Sequence, residues 1–147
     1  MSGVVLDASS VLSWCFEDEG GPEADALIER VAAAGALVPA IWSLEVANAL
    51  LVAERRSRIR QEDSGAFLAM IEELPITIDA GTAAHAFHET IVLARRHALS
   101  SYDASYLELA IRAQLPLATR DESLRRAAAQ VGLALPDRDS ADPEAPA

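Results

Sequence analysis

The chain has 147 residues, of which 51% are hydrophobic, and a formal net charge of −11. This length fits one domain with a substantial core, and no apolar run reaches the roughly 18 residues that a membrane-spanning helix needs. The N-terminus lacks the basic flank and apolar segment of a signal peptide, so we expect a cytoplasmic protein. A single cysteine excludes an intramolecular disulfide, and the complete use of Arg over Lys excludes a Walker-type phosphate loop and a Schiff base.

The first half of the chain predicts strand, helix, helix, strand and helix in order. Val4-Val5-Leu6 is a β-branched run, followed by Ser9 and Ser10 as candidate N-caps of a helix that continues to Phe16. After an acidic loop, residues 23–34 have helical spacing and end before a glycine. Residues 37–41 predict a second strand, and Ser43 is a candidate N-cap of a helix that runs to about Arg58.

The second half continues the alternation. Helical spacing is found at 61–74, 79–97, 102–114 and 121–131, with short strands at 76–78 and 117–119. Because no hairpin signal separates the strands, we expect an α/β fold with a central, mainly parallel sheet of four to five strands covered by helices. We place one domain at residues 1–136 and an acidic tail rich in Pro and Ala at 137–147, which we expect to be disordered.

Four acids stand at strand ends or helix starts. Asp7 and Asp121 each follow a predicted strand, whereas Glu45 and Asp103 lie in the first turns of two helices. Each acid taken alone is equally well explained as a helix cap or first-turn residue. Ligands of parallel α/β sheets bind outside the carboxyl ends of the strands, and converging carboxylates repel one another unless a cation neutralises them. Oxygen ligands without Cys or His favour Mg²⁺, with Mn²⁺ as the alternative, and such ions support phosphodiester hydrolysis.

Four short motifs contain these acids: Val5-Leu6-Asp7-Ala8-Ser9, Leu44-Glu45-Val46-Ala47-Asn48, Ser101-Tyr102-Asp103-Ala104 and Thr119-Arg120-Asp121. In this order they resemble the PIN-domain ribonucleases, and most closely the VapC-type toxins of toxin–antitoxin pairs. The resemblance extends from about residue 4 to 136. It implies RNA cleavage with Mg²⁺ or Mn²⁺ at Asp7, Glu45, Asp103 and Asp121, a cognate antitoxin as partner, and a homodimer.

Four further residues lie in these motifs and are candidates for supporting roles. Ser9 and Thr119 match small hydroxyl residues beside the family's site, where they either form turns or orient a carboxylate. Asn48 shares a helix face with Glu45. Arg120 is either a contact for substrate phosphate or a solvated arginine.

The net charge of −11 argues against nucleic acid as a partner. Part of this charge lies in the tail, and the basic residues are clustered at 55–60, 95–96 and 125–126, where they are either local basic patches or solvated helix faces. The main alternative function is a non-catalytic PIN-like module that binds RNA or protein, and a purely structural subunit is a third. Asp79 also follows a strand, but outside any motif, and we interpret it as a cap for the helix that begins near Gly81.

Overall fold

The sheet has four short parallel strands in the computed structural model, which describes residues 3–136. The strands are Val4–Leu6 (β1), Ala36–Val38 (β2), Ile76–Ile78 (β3) and Leu117–Ala118 (β4). Their order is β3-β2-β1-β4, and all three pairings are parallel. The predicted α/β class and parallel sheet are therefore confirmed. The predicted disorder of the tail concerns residues 137–147, which lie outside the described residues.

Helices follow each strand and cover the sheet. They are Ala8–Leu12 (α1), Pro22–Ala34 (α2), Trp42–Arg55 (α3), Gln61–Glu72 (α4), Thr82–His85 (α5), Ile91–His97 (α6), Ser101–Ala113 (α7) and Glu122–Gln130 (α8). A 3₁₀ turn at Glu17–Glu19 separates α1 from α2, and a π-helical turn at Ala86–Thr90 joins α5 to α6. Across residues 3–136, no helix has the length and apolar character that crossing a membrane requires.

The core is built around β1 and α7. All three residues of β1 are inaccessible to solvent, as expected for a central parallel strand covered on both faces. In α7, every side chain from Ala104 to Ala110 is buried, and the helix contacts β1 and β4. Burial of each large apolar side chain contributes about 1.5–3 kcal/mol. This packing fixes the position of α7 relative to the strand ends.

The start of α1 differs from the prediction. Asp7, with an extended backbone, is its N-cap residue, so the assignment of Ser9 and Ser10 as caps was wrong. The helix ends at Leu12 and does not reach Phe16, because the following N–H groups bond to carbonyls three residues back and tighten the chain into a 3₁₀-type turn.

The cap assignment of Ser43 was also wrong. The N–H of Glu45 bonds to the carbonyl of Ile41 at 3.0 Å, so Ile41 is the N-cap and Ser43 lies inside α3. The helix ends at Arg55, before the predicted position, because Ser57 adopts a left-handed backbone with φ 55°. The single helix predicted over 79–97 is divided into α5, the π-helical turn and α6, and the remaining elements differ from their predicted bounds by a few residues at most.

Candidate active site

The order of the strands brings two of the four acids to neighbouring strand ends. From β1 the sheet extends to β2 and β3 on one side, and β4 adds on the other side. The connections therefore diverge at the carboxyl ends of β1 and β4, which is where parallel sheets of this kind bind ligands. Asp7 directly follows β1, and Asp121 lies two residues beyond Thr119, which directly follows β4.

The other two acids come from helices that reach the same edge. Glu45 lies one turn into α3, which follows β2, and Asp103 lies in the first turn of α7. Since α7 leads into β4, it runs antiparallel to the strands and begins at their carboxyl edge. Burial is the main cause that raises the pKa values of Asp7, Glu45 and Asp103, and repulsion between the acids adds to it. The structure therefore brings together all four predicted acids.

These acids have no basic partner in the described part of the chain, unlike another acid at the same edge. Among residues 3–136, none of the ion pairs includes Asp7, Glu45, Asp103 or Asp121. Asp79, by contrast, pairs with the guanidinium of an arginine of α7 at 2.6 Å, which lowers its pKa. It also accepts a hydrogen bond from an N–H group just before α5. The interpretation of Asp79 as the cap of α5 was wrong: the N-cap residue is Gly81, and Asp79 forms a turn with the N–H of that residue, before the helix begins.

Hydroxyl groups hold the buried carboxylate of Asp7. The hydroxyls of Ser9 and Thr119 each donate to its Oδ2 at 2.7 Å. The Thr119 hydroxyl also accepts from the N–H of Asp121 at 3.0 Å, and Ser9 accepts from the N–H of Arg120 at 2.9 Å. The contacts fit the interpretation that both hydroxyls orient a carboxylate. They leave Oδ1 of Asp7 without a side-chain donor among the described residues.

Glu45 has a partner that the sequence analysis did not identify. The hydroxyl of Tyr106, a residue of α7 with no exposed surface, donates to Oε1 of Glu45 at 2.5 Å. Burial, together with this hydrogen bond, raises the pKa of Tyr106 above its usual range, so the hydroxyl stays protonated. Tyr106 lies one helical turn after Asp103, but nothing in the sequence indicates that it faces Glu45, 61 positions away along the chain.

Two predicted supporting residues make no side-chain hydrogen bond to the four acids among residues 3–136. Asn48 is exposed on α3, one turn after Glu45, and makes no side-chain hydrogen bond within residues 3–136. The guanidinium of Arg120 donates to the carbonyl of Glu19 at 2.7 Å and is thereby tied to the acidic 3₁₀ turn.

A groove of about 330 Å³ lies between α1 and α3 and shares Ser9 with the candidate site. Ser9 lies at its boundary, apolar side chains of both helices line it, and Arg56 and Arg58 lie on its rim. The guanidinium of Arg58 stacks on the ring of Phe16 at 3.8 Å and pairs with the acidic turn. Two residues of the arginine cluster at 55–60, Arg56 and Arg58, therefore line this groove, and the charge of Arg58 is paired with acids.

The donor atoms of the four acids fit a hard divalent cation. All are carboxylate oxygens, the ligands that Mg²⁺ and Mn²⁺ prefer. Nowhere in residues 3–136, however, do three Asp, Glu, His or Cys side chains stand at the spacing at which they share one ion. Mg²⁺ keeps several waters and commonly needs only one or two carboxylates. The donor chemistry therefore fits Mg²⁺, whereas a preformed cage of three protein ligands is not built in this part of the chain.

Comparison with known proteins places the chain in a family. The PIN domain family matches residues 4–130. Ribonuclease VapC3 of Pyrobaculum aerophilum is 26% identical over 121 residues, which are 82% of this chain and 91% of that protein. The crystal structure of PAE2754, also from Pyrobaculum aerophilum, matches with a TM-score of 0.64 at 21% identity, covers 86% of this chain and 84% of the other, and shows likeness of fold. Because the family match covers well over half of its length, the chain belongs to the PIN domain family.

Proposed function

We propose that the chain is an endoribonuclease that hydrolyses RNA phosphodiester bonds with Mg²⁺, or Mn²⁺, held by Asp7, Glu45, Asp103 and Asp121. The observation that carries this proposal is the meeting of four acids from separate segments with no basic partner among the described residues. Such an arrangement is unfavourable by itself and is typical of a site that binds cations. The similarity to a protein named as a ribonuclease supports RNA as the substrate.

The cation would lower the pKa of the attacking water and offset the negative charge at the phosphate. Residues of the chain would orient the ligands of the cation and attract the substrate. Ser9 and Thr119 hold Asp7 at one oxygen, and the other has no side-chain donor among residues 3–136. Arg56, on the rim of the groove, is suited to attract RNA phosphates despite the negative charge of the whole chain.

The same similarity supports the proposed biological setting. A relative named VapC3 favours a toxin that acts on cellular RNA in the cytoplasm, is inhibited by a cognate antitoxin protein, and forms a homodimer. These partners are proposed from the resemblance and from that name.

One observation favours the alternative of a PIN-like module that binds RNA or protein without cleaving it. Among the described residues, no three acids stand at the spacing of ligands to one ion. The cleavage experiment below separates the two functions, since a binding module would leave RNA intact with or without metal.

The experiment is cleavage of total cellular RNA by purified protein in Mg²⁺, in Mn²⁺ and in EDTA. The proposal predicts cleavage with either metal, none in EDTA, and a fall to near the EDTA level in the Asp103→Asn variant, which loses a charge but keeps its shape. Glu72→Gln, at the exposed end of α4, is the matched control and should cleave like the wild-type chain. Equal cleavage by the wild-type chain and Asp103→Asn would contradict the proposal, as would the absence of cleavage in both metals.

A further inference from the structure

The contact between Tyr106 and Glu45 joins the two helices that carry acids of the candidate site. Glu45 belongs to α3 and Tyr106 to α7, one turn after Asp103. The hydroxyl of Tyr106 donates to Oε1 of Glu45 at 2.5 Å, the short range typical of a hydroxyl bonded to a carboxylate. The Tyr106 side chain has no exposed surface, so the core fixes the direction of this hydroxyl.

Tyr106 is the one side-chain donor to Glu45 in the described part of the chain. Asp7 has two hydroxyl donors, and Asp121 accepts from the N–H of Leu124 within its own helix cap. Glu45 is half-buried, has one more rotatable bond than an aspartate, and receives a side-chain hydrogen bond only from Tyr106 among residues 3–136. Without the tyrosine hydroxyl, its carboxylate would have several rotamers available.

We propose that Tyr106 is a positioning residue that fixes the carboxylate of Glu45 in the acid cluster. The hydrogen bond occupies Oε1 and leaves Oε2, which has no side-chain donor among the described residues, for a cation or its water. The inference rests on the proposed function, because it assumes that the cluster binds a divalent cation. A group that acts through a ligand in this way typically changes metal affinity by 10–100-fold when it is removed.

The test is the affinity for Mn²⁺, measured by calorimetry on the full chain in the Tyr106→Phe variant. Phenylalanine keeps the buried ring and removes only the hydroxyl. We expect binding of Mn²⁺ to weaken by about 10-fold. Tyr102→Phe is the matched control, since Tyr102 lies on the same helix, is 61% exposed and has no hydroxyl partner in residues 3–136, and it should bind Mn²⁺ like the wild-type chain.

The same substitution in a Glu45→Gln chain separates an effect through Glu45 from a general structural effect of losing the hydroxyl. In Glu45→Gln the carboxylate is absent, so adding Tyr106→Phe should change Mn²⁺ affinity by less than about 2-fold. An equal loss in both backgrounds would overturn the inference, and so would unchanged affinity in Tyr106→Phe alone. If the wild-type chain binds no Mn²⁺, the proposed function fails and this inference fails with it.

If Tyr106→Phe does not fold, NMR on the wild-type chain tests the same contact. The ¹³C resonance of the Tyr106 Cζ atom should shift when diamagnetic Mg²⁺ is added to the wild-type chain, because the hydroxyl contacts a carboxylate of the site. The shift should be lost in Glu45→Gln. A Cζ resonance that is insensitive to Mg²⁺ in a chain that binds the ion would overturn the inference.

Discussion

Replacing Asp7 by Asn should stabilise the fold while abolishing the proposed activity. Transferring a carboxylate from water to a buried position costs several kcal/mol, and the Asp7 side chain is 6% exposed. Hydrogen bonds to a charged group return about 1.5–3 kcal/mol each, and the hydroxyls of Ser9 and Thr119 supply two. The raised pKa of Asp7, caused mainly by burial, indicates that the cost of burying the charge exceeds the stabilisation by these hydrogen bonds.

The amide oxygen of Asn keeps both hydroxyl donors, so the main change is loss of the buried charge. We expect a gain of about 1 kcal/mol in the free energy of unfolding at pH 7, or a rise of about 3–4 °C in the midpoint for a chain of this size. Thermal unfolding followed by circular dichroism, in EDTA, measures this gain.

The gain in stability of Asp7→Asn should increase as the pH rises. Because the pKa of Asp7 in the folded chain lies above 3.8, the folded chain binds the proton more tightly than the unfolded chain. The penalty is absent below pH 3.8, where both states are protonated, and is complete once the pH exceeds the folded pKa. The difference between Asp7→Asn and the wild-type chain should therefore vanish in acid and grow towards pH 7.

Asp18→Asn provides a control of opposite sign. The hydrogen bond from Arg58 lowers the pKa of Asp18, so this charge is favourable and its removal should give no gain at pH 7. The reasoning would be refuted if Asp7→Asn were less stable than the wild-type chain at pH 7, or if its gain were the same at pH 3.5 and pH 7.

Two further substitutions test other contacts. Thr119→Val removes the donor to Asp7 and the acceptor of the Asp121 N–H. It should lower the free energy of unfolding by about 1–3 kcal/mol and the rate of RNA cleavage by about 10-fold, whereas Thr119→Ser should retain both values. Equal behaviour of the two variants would count against a role of the hydroxyl. Arg112→Met leaves Glu108, whose side chain is 5% exposed, without its guanidinium partner. Because the Arg112 side chain is 32% exposed, we expect a loss of about 2–3 kcal/mol, below the 3–5 kcal/mol of a fully buried pair, measured by urea unfolding. A loss under about 0.5 kcal/mol would show that water replaces the guanidinium.

The sequence was sufficient to predict the sheet and the convergence of the acids. Buried parallel strands consist of apolar runs that are recognisable in isolation, as in Val4-Val5-Leu6. An acid directly after such a run, as Asp7 is, has its position fixed by the strand. The relevant information is local, and the sheet topology then brings the strand ends together.

Contacts between distant segments could not be predicted in this way. Tyr106 lies in an apolar part of α7 where an aromatic residue is explained by packing alone, and its hydrogen bond to Glu45 depends on how two helices cross. The side chains of Asp79 and Arg112 similarly meet through tertiary packing. The serines predicted as caps lie inside helices that begin earlier in the chain, Ser9 and Ser10 in α1 and Ser43 in α3.

Locating the ion tests the central claim most directly. Crystals of the full chain grown with Mn²⁺ would be measured at the manganese absorption edge, where anomalous scattering marks the ion. The proposed function predicts one or two peaks among Asp7, Glu45, Asp103 and Asp121, at the oxygen–metal distances of a bound ion and lost in Asp103→Asn. A wild-type crystal without a peak among these four carboxylates would contradict it.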